Sequence, residues 1–188
     1  MDFDYSDKSK RVQAQLKAFI AAQIEPRQAD YKRLVEEQRV FPPPFIEDLK
    51  AKARAEGLWN LFLPGLKPNE PGTPMSNLDY APCAEIMGRI PWSAEVFNCN
   101  APDTGNMELL HLAANNKQKA QYLAPLLEGK IRSAFAMTEP DVASSDATNI
   151  RTSIKCDGAD YAVSYTHLDV YKRQTWTWSG TTKSSSRW

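Results

Sequence analysis

Residues 129–163, GKIRSAFAMTEPDVASSDATNIRTSIKCDGADYAV, mark the point where the apolar period of this chain changes from three or four residues to two. Ser133 to Met137 is short and apolar and predicts a strand. Ile150, Thr152 and Ile154 alternate with Arg151, Ser153 and Lys155, and the turn signal Asp157-Gly158 precedes Tyr161 and Val163, which predicts a hairpin. A lone strand and hairpin cannot close a sheet or hide its edges, so this segment reads as the start of a β domain.

Upstream, the period is helical. Ser6 is placed to cap a helix in which Val12, Leu16, Phe19, Ile20 and Ile24 recur every three or four residues, and Pro26 is expected to end it. Pro42 to Pro44 precede a helix with Phe45, Ile46, Leu49 and Ala53 on one side and Gly57 as a left-handed C-terminal cap. After a Pro- and Gly-rich loop, a helix over Asn77–Met87 is closed by Gly88, and a further helical stretch carries Val96 and Phe97. Asp103-Thr104-Gly105 then caps a helix with Leu109, Leu110 and Leu112, and a last one carries Tyr122, Leu123, Leu126 and Leu127 before Gly129. No strand alternates with these helices and no GxGxxG or GxxxxGK(S/T) loop occurs, which disfavours a doubly wound dinucleotide fold. The fold class is α+β: an all-α helical N-terminal domain over residues 1–130, followed by a truncated β domain over 131–163.

Composition narrows the function. In 188 residues, 23 Lys and Arg balance 23 Asp and Glu, so no basic field exists to hold nucleic acid. Cys83, Cys99 and Cys156 form no CxxC pair and only two histidines occur, which argues against a zinc site or a disulfide framework and for a reducing compartment. No apolar run has the length of a membrane span and the acidic start lacks a signal-peptide core, so a cytoplasmic chain is expected.

From Ser164 onward the chemistry does not continue that of the body. This tail, 164–188, holds Asp169 against Lys172, Arg173, Lys183 and Arg187, and carries three of the five tryptophans. Residues 163–174, VSYTHLDVYKRQ, admit a set of codons that is almost wholly its own reverse complement. That symmetry resembles the in-frame translation of a transposon-end sequencing adapter joined to its inverted copy. An artefactual tail without stable packing is the expectation, against a basic, aromatic segment that binds a partner. No functional residue is sought there.

The chemistry concentrates between the strand and the hairpin. In Thr138-Glu139-Pro140-Asp141-Val142-Ala143-Ser144-Ser145-Asp146, Pro140 restricts the backbone while small and hydroxyl residues let donors approach a phosphate or a flat polar ring. By composition alone it is also an ordinary surface loop. Ala134-Phe135-Ala136-Met137-Thr138-Glu139-Pro140, followed by Ser145-Asp146, resembles the flavin-binding signature of the acyl-CoA dehydrogenase family, in a branch that carries TEPxVASSD. Residues 41–63, FPPPFIEDLKAKARAEGLWNLFL, resemble that family's second helix, and 118–129, QKAQYLAPLLEG, the helix leading into its middle domain. The stretch between Glu139-Pro140 and Ser145-Asp146 contains no Gly and is one residue longer than the commonest family pattern.

The resemblance implies a helical domain, a middle β domain and a C-terminal four-helix bundle, of which this chain has the first and the beginning of the second. It implies FAD as cofactor, acyl-CoA as substrate, an electron-transfer acceptor and a homo-oligomeric parent. By position, Phe135, Met137 and Thr138 resemble the flavin-ring contacts, with the Thr138 hydroxyl as donor, and Ser145 resembles the serine near the FAD pyrophosphate and the acyl-CoA. Core packing is the competing reading for Phe135 and Met137. The implied reaction is α,β-dehydrogenation of an acyl thioester. The family's base lies in the C-terminal bundle, so no catalytic residue is assigned here and the chain alone is expected to be inactive. Two other classes compete: a non-catalytic helical binding module, and a flavin oxidase or monooxygenase of the same superfamily. His111 reads as solvated or internally bonded, Cys99 as a buried thiol, and Asp79 with Glu85 as a solvated face.

Overall fold

A computed structural model of the chain describes residues 4–135, 138–139, 142–143, 145–158, 160–164 and 177–178. Two units divide the chain, residues 1–134 and 135–188.

The first unit is helical: α1 (Asp7–Phe19), α2 (Gln28–Tyr31), α3 (Phe45–Ala55), α4 (Asn77–Gly88), α5 (Ser93–Val96), α6 (Asp103–Ala113), α7 (Asn116–Gln118) and α8 (Ala124–Leu127). The Ser6 hydroxyl accepts from the Ser9 N–H at the start of α1, and Ser76 does the same for the Asp79 N–H in α4. Gly57 takes up φ 72° after α3, as a left-handed terminus requires. Pro26, however, does not stop the first helix. The chain passes through a wide i→i−5 turn at Ile20–Ile24 and a tight turn at Glu25–Arg27, then resumes as α2. The wide turn ends with the Glu25 N–H donating to the Ile20 carbonyl, and Pro26 then falls in the first positions of the tight turn, where its missing N–H has no partner to lose. Gly88 likewise belongs to α4 and does not follow it.

Two cores fill this unit. Leu16, Ile24, Ile46, Leu58, Met87 and Phe97 belong to the larger, and Leu63, Leu66, Met107, Leu123, Leu126 and Leu127 to the smaller. Each such side chain taken fully out of water stabilises the fold by roughly 1.5–3 kcal/mol. The α6 stripe departs from its pattern: Leu109 is 62% and Leu112 76% exposed, while Met107 and half-buried Leu110 face the smaller core. Asp103 is the first residue of α6 and not its cap, because its carboxylate is taken by Arg132 and Ser133.

In the second unit β1 (Ser153–Asp157) and β2 (Asp160–Ser164) form the expected antiparallel hairpin, with Gly158 at φ 63° in its turn. Ile154 lies opposite Val163, and both are exposed. Ser133 to Phe135, expected as strand, has no strand geometry, and Ala136 and Met137 lie outside the described residues. A third short strand, β3 (Thr177–Trp178), pairs with Ala162 and Tyr161, placing two tail residues on the hairpin edge. The rest of the tail after Ser164 lies outside the described residues.

Candidate functional site

The loop singled out by its hydroxyls is held at both ends by a carboxylate. At its start, Glu139 is only 5% exposed, and a buried carboxylate needs donors because it can only accept. Arg151 donates its N–H to both oxygens, at 3.2 and 3.0 Å, and Thr152 donates its N–H at 2.9 Å and its hydroxyl at 2.5 Å. The Thr152 hydroxyl outweighs burial and, with the two N–H groups and the Arg151 charge, holds Glu139 below the usual carboxylate range. At the loop's far end Asp146 accepts from the Thr148 N–H at 3.0 Å, the Thr148 hydroxyl at 2.7 Å and the Asn149 amide at 3.3 Å, capping the turn Ala147–Asn149. The Thr148 hydroxyl and N–H depress the Asp146 carboxyl as well.

Thr138 and Ser145, the immediate neighbours of these carboxylates, are both exposed. Phe135 is 64% exposed, so it is not a core residue of its unit. Met137 lies outside the described residues. Two hydroxyls and an accessible aromatic face suit a flat polar ring bearing phosphates, and both flanking carboxylates are engaged by donors that follow the loop in the chain, Thr152 for Glu139 and Thr148 for Asp146. The described part of the segment thus carries the kinds of group, hydroxyl donors and an exposed ring, that a flavin nucleotide would need. Glu139 and Asp146 stand within the sequence motif but take no task from it; the Asp-x-Thr spacing of Asp146 and Thr148 is the local sign of a side-chain turn.

The strap that precedes Phe135 is fixed within the helical unit. Asp103 accepts the Ser133 N–H at 2.7 Å and its hydroxyl at 2.6 Å, and pairs with Arg132 Nε at 2.7 Å. Asn106 donates to Ser133 Oγ at 2.8 Å and to the Ala134 carbonyl at 3.2 Å. Glu95 links this strap to the core, pairing with Arg132 and with the buried Lys50 at 2.7 Å.

The remaining candidates lie elsewhere. Burial pushes the Cys99 thiol up to about 12 and Cys83 up to about 11, so neither is a thiolate at neutral pH. Asp79 accepts from the Ser6 and Ser76 hydroxyls at a helix start, and Glu85 pairs with Arg89 on the surface. His111 packs its Nε2 edge against Gly65. A cavity of about 570 Å³ beside the stacked rings of Tyr31 and Trp92 is lined by Ile46, Ile90, Glu95 and Asn100 but by none of the sequence-predicted site residues. Among the described residues no cluster could hold a metal and no helix is long and apolar enough to cross a membrane.

The profile of the acyl-CoA dehydrogenase N-terminal domain matches residues 6–130. The chain belongs to the acyl-CoA dehydrogenase family. It is 49% identical over 170 residues to the probable acyl-CoA dehydrogenase FadE2 of Mycobacterium tuberculosis, covering 87% of this chain and 40% of that protein. It is also 49% identical to acyl-CoA dehydrogenase family member 11 of Gallus gallus, covering 86% of this chain and 21% of the other. An acyl-CoA dehydrogenase structure from Mycobacterium abscessus shares 45% identity and superposes with a TM-score of 0.75 over 86% of this chain and 42% of its own. An acyl-CoA dehydrogenase from Bacillus anthracis solved with FAD, 24% identical with a TM-score of 0.60 over 86% of this chain and 26% of its own, shares the fold. The chain thus spans well under half the length of these acyl-CoA dehydrogenase relatives, as the N-terminal part of an oxidoreductase family fold.

Proposed function

We propose that the whole protein is an FAD-dependent dehydrogenase that introduces an α,β double bond into an acyl-CoA thioester, and that this chain supplies the N-terminal domain and the start of its flavin-binding segment. The observation that carries this is the 49% identity to FadE2 over 87% of the chain, which runs past residue 130 into the Thr138–Asp146 loop. When bound, FAD supplies the hydride acceptor. Phe135 and Met137 are assigned to the ring, the Thr138 hydroxyl to a hydrogen bond with it, and Ser145 to the pyrophosphate and the acyl-CoA. We assign no proton-abstracting base here, since Glu139, Asp146, Glu95 and Asp103 all hold donors of their own. A homo-oligomeric parent, an electron-transfer acceptor and domain limits near 130 and 163 belong to the same reading.

The test uses the intact parent enzyme. Thr138→Val keeps volume and removes one donor, which costs about 1 kcal/mol in a neutral hydrogen bond. It is expected to shift the flavin spectrum and lower kcat more than it raises KM, with Thr138→Ser close to wild type. Equal, wild-type behaviour of both variants would remove the flavin contact. Hydrogen peroxide as the stoichiometric reduced product would make the enzyme an oxidase.

A further inference from the structure

Glu139 is joined by a peptide bond to Thr138, yet the flavin reading gives it no task. Its side chain has three torsions that a surface glutamate leaves loose. Here the Arg151 N–H, the Thr152 N–H and the Thr152 hydroxyl all converge on the carboxylate within 3.2 Å. Arg151 and Thr152 immediately precede β1, so their N–H groups lie before the ladder that pairs Ser153 with Ser164. Clasping them ties the start of the loop to the most regular element of its unit.

We propose that Glu139 is a positioning residue: its carboxylate, held by Arg151 and Thr152, fixes the backbone of Thr138 so that the Thr138 hydroxyl meets the flavin. This rests on the flavin reading above. Glu139 touches neither cofactor nor substrate in this arrangement. Its chemistry is specific, because the Arg151 N–H and the Thr152 N–H and hydroxyl are all donors and a carboxylate is acceptor-only. Glutamine in its place directs an NH₂ group at one of those donors. Thr152 contributes the shortest of the contacts, and its hydroxyl can be removed without touching the loop.

The test again uses the intact parent enzyme, with Thr138→Val, Thr152→Val, Thr152→Ser and Glu139→Gln compared. FAD dissociation constant, flavin absorption spectrum, kcat, KM and melting temperature are measured for each. Thr152→Val is expected to weaken FAD binding about fivefold, the effect of one hydrogen bond, and to lower kcat more than it changes KM. Thr152→Ser restores both, and Thr152→Val adds little in a Thr138→Val background because the two act through one hydroxyl. If Glu139→Gln fails to fold, the two Thr152 variants decide. A lowered melting temperature with wild-type FAD affinity, spectrum and kcat in Thr152→Val, while Thr138→Val alters them, overturns the positioning role and leaves the flavin reading standing. Wild-type flavin properties in Thr138→Val overturn both.

Discussion

The Asn98 amide donates to Asn60 Oδ1 at 2.7 Å, and the two buried residues both have left-handed backbones, with φ of 52° and 48°. Asparagine is among the few residues that adopt this conformation at little cost. The pair also closes a helix end. Asn98 donates to the Leu126 carbonyl at 3.1 Å, while Asn60 and Trp59 Nε1 each donate to the Leu127 carbonyl at 2.8 Å. These carbonyls at the end of α8 are of the kind that helix termini leave without an internal partner.

Asn98→Leu removes both donations and puts a branched side chain at positive φ. It is expected to destabilise the helical unit by about 3 kcal/mol, whereas Asn98→Gly, which relaxes the backbone but still lacks the donor, should cost about half as much. Chemical denaturation measures both. Equal costs would mean that the backbone conformation contributes nothing, and a neutral Asn98→Gly would mean the same of the hydrogen bonds.

A Cβ at Gly65 would lie 2.6 Å from His111 Nε2. Gly65→Ala is therefore expected to cost about 1–2 kcal/mol through overpacking, and His111→Ala should recover most of that loss in the double variant. Strictly additive melting shifts would show that the two residues do not meet.

Glu95 is half of a pH-sensitive tie. Burial pushes its carboxyl up, but the Lys50 hydrogen bond and charge, the Asn100 amide and the Arg132 charge together hold it below the usual carboxylate range. Glu47 also faces Lys50, and Asp103 also faces Arg132. With the folded-state value depressed, the tie contributes fully above the ordinary carboxylate range and is lost as pH falls through the folded-state value. Glu95→Gln should lower stability at neutral pH by about 2 kcal/mol, since it leaves the buried Lys50 ammonium only the exposed Glu47 as a charged partner, and should flatten the acid limb of the stability profile. Parallel acid limbs in the two proteins would place the titration elsewhere.

Removing residues 164–188 takes away Ser164, which pairs with Ser153, and Thr177 and Trp178, which pair with Ala162 and Tyr161, and among the described residues it takes no member of either core. The thermal transition of the helical unit is expected to be unchanged within error. A fall of several degrees, equivalent to about 1 kcal/mol, would show that the tail supports the fold and is not an artefactual appendage.

Ser6, Gly57, Gly158 and the β1–β2 hairpin were legible in the residues alone, because each closes its hydrogen bonds or sets its φ within a few positions of the chain. The family was legible too, through the Thr138-Glu139-Pro140 to Ser145-Asp146 spacing and the helical segments before it. Local rules failed where distant partners decided. Asp103 has the composition of a cap, yet Arg132 and Ser133, some thirty residues on, take its carboxylate. Pro26 should end a helix, but the wide turn before it accommodates the ring. Leu109 and Leu112 share a helical stripe with residues that do pack, and which part of a stripe is covered depends on what lies opposite. Glu139 is conspicuous in the sequence, but its clasp with Thr152 needed the fold, since a buried carboxylate takes its donors from whatever packing brings within 3 Å.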